Sequence, residues 1–182
     1  MTKELPSPEL LRKLLRYEPD TGKLFWMPRS GEFFDPKGKR SSEGCAANWN
    51  ARYAHKEAFT ALDGWGYFMG RIFNKPYKAH RVAWCILHGS WPKNQIDHKN
   101  GIRTDNRICN LRDVNQSENS RNSKKRSDNT SGAAGVCFDK ARGQWTVRIC
   151  NKQYGRFDDL SDATRLRRSI EMKHGFTERH GR

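Results

Sequence analysis

The sequence predicts an α+β protein, in which a central strand, loop, strand and helix precede a small three-stranded antiparallel sheet with one packed helix. Residues 95–122 carry a short apolar run, a turn signal, an alternating stretch and a helix-start signal, in that order. Residues 135–157 hold three short alternating stretches joined by turn residues, and a helical pattern follows from Ser161 to about His174. These patterns place two small structural units in the second half of the chain.

The central unit begins with a predicted strand that ends at Asp97 and His98. The strong turn signal Asn100-Gly101 follows directly, which marks the end of that strand. Residues 108–114 then alternate apolar and polar side chains. We interpret this alternation as a second strand, which carries Asn110.

The residue types of this unit suit the hydrolysis of a phosphodiester bond, which needs a general base and a divalent cation. Residues 115–118 have the form of a capping box, so they predict a short helix with Asn119 in its first turns. His98 suits the base because imidazole titrates near neutral pH, and we choose Asn110 as the amide that holds its tautomer. A hard cation such as Mg²⁺ takes one or two oxygen ligands from protein, which suits Asp97 and Asn119.

The same stretch resembles the motif of the phage HNH homing endonucleases, whose nuclease fold is the ββα-metal (HNH/His-Me finger) unit. The resemblance rests on four pieces of sequence, which are His80-Arg81-Val82-Ala83-Trp84, Asp97-His98, Asp105-Asn106-Arg107-Ile108-Cys109-Asn110-Leu111 and Glu118-Asn119. It implies that His98 is the general base, that Asn110 orients it, and that Asp97 and Asn119 bind one metal, Mg²⁺ or another divalent cation such as Mn²⁺. The third motif position is Asn rather than His, which argues against a metal held by two histidines.

Two further polar residues of the motif have roles that the sequence leaves open. His80 starts a predicted helix that runs to Leu87, and Asn106 lies in the loop before the second strand. Asn side chains in long loops usually bond to their own backbone. We therefore favour a structural role over a catalytic one for both residues.

The charge of the chain predicts a polyanionic partner. Its 182 residues include 35 Lys and Arg against 20 Asp and Glu, a formal net charge of +15 that is spread along the whole length. This distribution favours an extended surface that follows DNA over a single basic tail, with a solvated surface of mixed charge as the alternative. The absence of a long apolar stretch, together with an odd number of cysteines without a C-x-x-C pair, predicts a cytoplasmic protein in a reducing compartment.

Residues 1–76 are expected to support a nuclease core at residues 77–123. A helix should open at Ser7-Pro8 and end near Tyr17, because Pro19 disfavours helix before it. Residues 29–52 have the composition of a loop, to which we assign no role. A hairpin is predicted before the helix that starts at residue 79.

The last third is predicted to consist of a basic linker, residues 124–131, and a DNA-binding domain, residues 132–182. Its three strands and one helix resemble the APETALA-type (ethylene-response-factor-type) domain, whose sheet reads the major groove. The resemblance rests on Gly135-Val136, Trp145, Val147, Ile149, Tyr154-Gly155-Arg156-Phe157 and Ala163. Cations of the linker and the domain are the predicted DNA contacts, namely Lys124, Lys125, Arg126, Lys140, Arg142, Arg148, Lys152 and Arg156.

These patterns together predict a metal-dependent endonuclease that acts on double-stranded DNA as a monomer or weak dimer, away from membranes and without a protein partner. The alternative is a DNA-binding regulator whose nuclease unit is inactive. An RNA-binding protein is less favoured, because the chain lacks an aromatic signature of the RNP type.

Overall fold

The structure is a computed structural model in which residues 5–178, 180 and 181 are described, and it divides the chain into two compact units, Met1–Asp113 and Val114–Arg182. Small antiparallel sheets and five α-helices make up the described residues, which confirms the mixed α and β composition. The α-helices are α1 (Pro8–Leu14), α2 (Ser42–Tyr53), α3 (Ala79–His88), α4 (Gln116–Ser120) and α5 (Leu160–Lys173). None of the described helices is long and apolar enough to cross a membrane.

The strands of the first unit form three sheets. One sheet has the order β1 (Leu15–Glu18), β2 (Lys23–Trp26) and β3 (Glu57–Ala58), and the second has the order β4 (Ala61–Leu62), β5 (Phe68–Ile72) and β6 (Lys75–Lys78). The third pairs β7 (Gln95–His98) with β8 (Leu111–Val114).

Helix α1 is shorter than the sequence predicts. Ser7 caps it as expected, since its hydroxyl accepts a hydrogen bond from the backbone N–H of Leu10 at 3.2 Å. The prediction that the helix reaches Tyr17 is wrong, because the chain becomes extended at Leu15 and pairs in antiparallel register with β2. The resulting hairpin places the Tyr17 hydroxyl 2.7 Å from the carbonyl oxygen of Asn106, in the loop between β7 and β8.

Residues 42–53 form helix α2, so the prediction of a loop is wrong for this part of the segment. Ser41 caps the helix through the backbone N–H of Gly44. The helix is anchored from outside, because Asn50 bonds the backbone of Arg29 at 2.8 and 2.9 Å and the Arg29 guanidinium lies over the Trp49 ring at 4.0 Å. These contacts hold a polar helix against the segment at Arg29, within the first unit.

One hydrophobic core joins the N-terminal elements to α3. Leu11 and Leu14 of α1 and Val82 and Cys85 of α3 are fully buried in it. The hairpin β5–β6 leads directly into α3, and Gly89 follows the helix, both as the sequence predicts. The nuclease motif therefore begins on a helix that is fixed by residues far before it in the chain.

Strand β7 ends at His98, as predicted, and pairs with β8. A 3-10 turn at Ile108–Asn110 takes the place of the first half of the predicted second strand. Helix α4 opens with the predicted capping box, since Asn115 accepts from the backbone of Glu118 and the Glu118 side chain accepts from the backbone of Asn115, both at 2.9 Å.

The second unit contains the sheet β11 (Lys152–Phe157), β10 (Gln144–Ile149) and β9 (Val136–Asp139), with α5 packed on one face as predicted. The cap of α5 is Asp159 rather than the predicted Ser161. Its buried residues are Ala163 and Arg167. Arg167 is tolerated there because its Nε donates to the carbonyl oxygen of Ala134 at 2.8 Å.

Candidate active site

His98 lies at the end of β7 with only 3% of its surface exposed. Its Nε2 atom is 3.1 Å from the side-chain oxygen of Asn106, which is 2% exposed. The contact joins the end of the strand to the loop that precedes β8. His98 is therefore held on the side of the ring that carries Nε2.

Asn106 is positioned by the β1–β2 hairpin at the other end of the sequence. The hydroxyl of Tyr17 donates to the carbonyl oxygen of Asn106 at 2.7 Å, and Ile108 N donates to the carbonyl oxygen of Pro19 at 3.2 Å. Gly22 packs so closely on the loop that a Cβ there would lie 2.5 Å from Arg107 N and 2.6 Å from the Asn106 carbonyl carbon. The hairpin thus sets the position of the residue that bonds His98.

The environment of His98 favours a neutral ring with one defined tautomer. An amide oxygen accepts, so Nε2 carries the hydrogen and the lone pair of the neutral ring lies on Nδ1. Burial lowers the pKa of His98, against the opposing effects of the Asn106 hydrogen bond and the Asp97 charge. A neutral imidazole at neutral pH is the form that accepts a proton from water.

Asn110, the residue predicted to orient His98, instead bonds the backbone of the loop. Its side-chain oxygen accepts from Asn100 N at 2.9 Å, and its Nδ2 donates to the carbonyl oxygen of Asp105 at 2.8 Å. Both hydrogen bonds close the loop that follows His98. The structure thus gives the direct contact with the imidazole to Asn106 and places Asn110 where it fixes the backbone on either side of that contact.

The carboxylate of Asp105 ties the same loop from within. It accepts from Asn100 Nδ2 at 2.6 Å and from Arg107 Nε and Nη2 at 2.8 and 2.6 Å. The Arg107 hydrogen bonds lower the pKa of Asp105 to about 2. The loop between β7 and β8 is therefore held by the ion pair of Asp105 and Arg107 and by the side-chain amide of Asn100.

Asp97 precedes His98 on β7 and is 9% exposed. Its Oδ2 atom accepts from Arg112 Nε at 2.8 Å and from Arg112 Nη2 at 2.6 Å. Arg112 lies on the paired strand β8, and its contact with Asp97 was not predicted from the sequence. A charge-assisted pair of this kind offsets the cost of burying the carboxylate.

Two aromatic rings pack against His98. The His80 ring lies 5.1 Å from it in an edge-on arrangement, and the Tyr67 ring lies 5.7 Å from it, each between ring centroids. His80 is 5% exposed, and its Nδ1 atom has no hydrogen-bond partner in the part of the chain that the structure describes. Burial lowers the pKa of His80 to about 3, so this ring is neutral.

The donor atoms at the site fit a hard cation better than zinc. Among the described residues, no three His, Cys, Asp or Glu side chains are grouped in a way that could hold a metal. Mg²⁺ needs no such group, because it takes one or two carboxylate or amide oxygens and keeps water for the rest. Asp97, which carries a carboxylate, lies in β7 of the first unit, and Asn119, which carries an amide, lies in α4 of the second unit.

Comparison with known proteins adds two findings to this geometry. A family model described as HNH endonuclease matches residues 77–121, which include His98 and the loop that holds it. Protein 3.8 of Escherichia phage T7 is 36% identical over 92 residues, which make up 47% of this chain and 76% of that protein. The chain belongs to the family of Protein 3.8. It carries an HNH endonuclease domain at residues 77–121.

The similarity to Protein 3.8 covers less than half of the chain. No solved structure matches the chain significantly. The APETALA-type interpretation of residues 132–182 stays a prediction. In the structure the eight cations predicted to contact DNA are all exposed, namely Lys124, Lys125, Arg126, Lys140, Arg142, Arg148, Lys152 and Arg156.

Proposed function

We propose that this protein is a metal-dependent endonuclease that hydrolyses phosphodiester bonds in double-stranded DNA, with His98 as the general base. The observation that carries the proposal is the hydrogen bond between His98 and Asn106 within the stretch that matches the HNH endonuclease family. The hydrogen bond holds the imidazole in one orientation, and burial lowers its pKa so that it stays neutral, as a general base requires.

The proposed chemistry is an in-line displacement at phosphorus. His98 accepts a proton from a water molecule, and the resulting hydroxide attacks the phosphorus while the bond to the 3′ oxygen breaks. The products are a 5′ phosphate and a 3′ hydroxyl. Asn106 holds the imidazole through Nε2, so Nδ1 is the atom that receives the proton.

Asp97 and Asn119 are the proposed oxygen donors for the metal, as the resemblance to the HNH endonucleases predicts. Mg²⁺, or another divalent cation such as Mn²⁺, supplies positive charge that stabilises the phosphate and the leaving oxygen. Arg112 holds the Asp97 carboxylate in one orientation through two hydrogen bonds. In this proposal Arg112 positions a metal ligand and does not itself contact the reacting atoms.

The eight exposed cations of the second unit are the proposed DNA-binding residues. Six of them, Lys124, Lys125, Lys140, Arg148, Lys152 and Arg156, take part in no ion pair with an acidic side chain within 4.0 Å among the described residues. Arg126 pairs with the exposed Asp128, and Arg142 pairs with the half-buried Asp139. Binding through such side chains should weaken steeply as salt rises.

One observation favours the alternative, a DNA-binding regulator with an inactive nuclease unit. Arg112 donates twice to Oδ2 of Asp97, so a cation at this carboxylate has to share it with a guanidinium. A protein in which Arg112 neutralises Asp97 permanently would bind DNA and leave it intact. A test of DNA cleavage separates the endonuclease from the regulator.

The test is incubation of supercoiled plasmid and of phage genomic DNA with the protein, in Mg²⁺ or in EDTA. The wild type is compared with His98→Ala and with His88→Ala, which removes an exposed histidine at the end of α3. The endonuclease requires cleavage that needs both metal and His98, with His88→Ala as active as the wild type. Salt-sensitive binding of intact DNA by the wild type would establish the regulator instead.

A further inference from the structure

Trp65 is more exposed than any other Trp, Tyr or Phe residue that the structure describes in the first unit, with 72% of its surface accessible. It stands on a tight turn between β4 and β5 rather than on a mobile tail. The carboxylate of Asp63 accepts from the backbone N–H groups of Trp65 and Tyr67, at 2.8 and 2.9 Å. The indole is therefore presented to solvent from a fixed backbone, independently of any contact that the indole itself makes.

The turn is connected to the candidate active site on both sides. Arg103, in the loop after His98, donates from Nη1 to the carbonyl oxygen of Trp65 at 2.7 Å. Tyr67, two residues after Trp65, lies with its ring against His98 and His80. The exposed indole is thus tied to the same loop and the same ring that border the proposed general base.

Two cations, Lys78 and Arg103, contact residues of this turn. Arg103 lies over the Tyr67 ring at 5.3 Å and Lys78 over the same ring at 4.3 Å. Lys78 also pairs with Asp63 at 3.4 Å, which leaves Asp63 engaged by one ammonium and two backbone N–H groups. An exposed flat ring on a turn that two positive side chains contact has the chemistry of a nucleic-acid contact, in which a base stacks and the neighbouring phosphates meet the cations.

We propose that Trp65 is a base-stacking site, which takes an unstacked or unpaired nucleobase of the DNA close to the bond that is cleaved. Lys78 and Arg103 contact the phosphates on either side of that base. The inference rests on the proposed function, since the turn borders His98, and it names the substrate class more narrowly. The preferred substrate is DNA in which a base is already displaced or easily displaced from the helix.

The physical reason is that stacking needs a base face. In a paired duplex both faces of each base are covered by its neighbours, so an indole gains contact only where the helix opens. Unpaired, bulged or mismatched nucleotides offer that face at low cost. Trp65 therefore has an effect on binding that is large for distorted DNA and small for a fully paired duplex.

The test measures binding and cleavage separately. Fluorescence anisotropy of labelled DNA is recorded for His98→Ala, which leaves the DNA uncut, and for the same protein carrying Trp65→Ala, Trp65→Phe or the control Leu87→Ala. The probes are a paired duplex and the same duplex with a short bulge. Trp65→Ala should weaken binding to the bulged duplex by roughly 5- to 100-fold and binding to the paired duplex by much less. Trp65→Phe should restore most of the loss, and Leu87→Ala should have no effect.

Salt dependence distinguishes the ring from the cations. The factor lost in Trp65→Ala should be the same at low and at high salt, because stacking releases no counterions, whereas Arg103→Ala should reduce the slope of affinity against salt. Equal affinities of Trp65→Ala and its parent for the bulged duplex would overturn the inference, as would a change in self-association without a change in DNA binding. If the wild type cuts no DNA but still binds the bulged duplex more tightly than the paired duplex, and loses this preference in Trp65→Ala, the base-stacking site is supported and the proposed nuclease activity is refuted.

Discussion

The side-chain oxygen of Asn106 lies 3.1 Å from Nε2 of His98, and both side chains are buried. The two residues are separated by a loop that is closed by Asn110 and by the pair of Asp105 and Arg107. Tyr17 and Gly22 support the loop from the β1–β2 hairpin. The proposed base is therefore held by contacts from two distant parts of the sequence, and changes in either part should affect catalysis.

Gly22→Ala should reduce both stability and cleavage more than Gly38→Ala does. Both glycines have positive φ, +74° and +61°, so each substitution costs about 1–2 kcal/mol of backbone strain. A Cβ at residue 22 also collides with the backbone of Asn106 and Arg107, whereas nothing lies within 4 Å of the one at residue 38. Urea unfolding and cleavage rates of both variants measure the difference. Equal losses would show that the hairpin does not set the position of Asn106.

Asn110→Ala should lower stability more than it lowers DNA binding. The substitution removes the two hydrogen bonds that Asn110 makes with Asn100 N and with the carbonyl oxygen of Asp105, each worth about 0.5–1.5 kcal/mol. Thermal unfolding measures the cost, and anisotropy with labelled duplex measures binding. An Asn110→Ala protein as stable as the wild type would contradict the assigned role in loop closure.

Acid should destabilise the protein partly through His80. The unfolded chain binds a proton at this residue near pH 6.5, but burial lowers the folded-state pKa to about 3. Between these values the unfolded state holds more protons, so the free energy of unfolding falls as pH falls, by up to about 1.4 kcal/mol per pH unit.

His80→Leu should remove this contribution. Urea unfolding at pH 7, 6 and 5 (chosen as roughly spanning the start of the window) should give a shallower dependence on pH for the variant than for the wild type. His88→Leu, at an exposed position, should leave the wild-type slope unchanged. Identical slopes for His80→Leu and the wild type would mean that His80 is protonated as readily in the folded protein as in the unfolded chain.

Arg29→Ala should loosen helix α2. Its guanidinium lies 4.0 Å from the Trp49 ring centroid and 5.0 Å from that of Trp26, which joins the helix to strand β2. The loss should be about 1–2 kcal/mol, whereas Arg52→Ala, at an exposed position in the last turn of α2, should cost little. Chemical denaturation of both variants measures the free energy of unfolding. Equal losses in the two variants would show that Arg29 does not anchor α2.

Local signals predicted much of the fold. The end of β7 at His98, the capping box at Asn115 and the three strands of the second unit follow from patterns of a few neighbouring residues. The roles of Asn106 and Arg112 did not follow. Asn106 is held by Tyr17, 89 residues away, and Arg112 meets Asp97 only because β8 pairs with β7.

Helix α2 was missed for a related reason. Its sequence is polar and its only buried residue is Ala46, so no apolar stripe marks it. Its contacts come instead from the Trp49 side chain, which meets Arg29 and Trp26, two residues that precede the start of the helix in the sequence. Such long-range contacts leave no periodic signal in the sequence of the helix itself.

A double-mutant cycle shows whether Asn106 acts on catalysis through His98. Single-turnover cleavage is measured for the wild type, His98→Ala, Asn106→Ala and the double variant, with DNA binding recorded in parallel. His98→Ala should slow cleavage by about 10²- to 10⁴-fold, and Asn106→Ala by roughly 10- to 100-fold. The double variant should cleave at the rate of His98→Ala, because Asn106 has no effect once the imidazole is gone. A double variant slowed by the product of the two single effects, with binding unchanged, would contradict it.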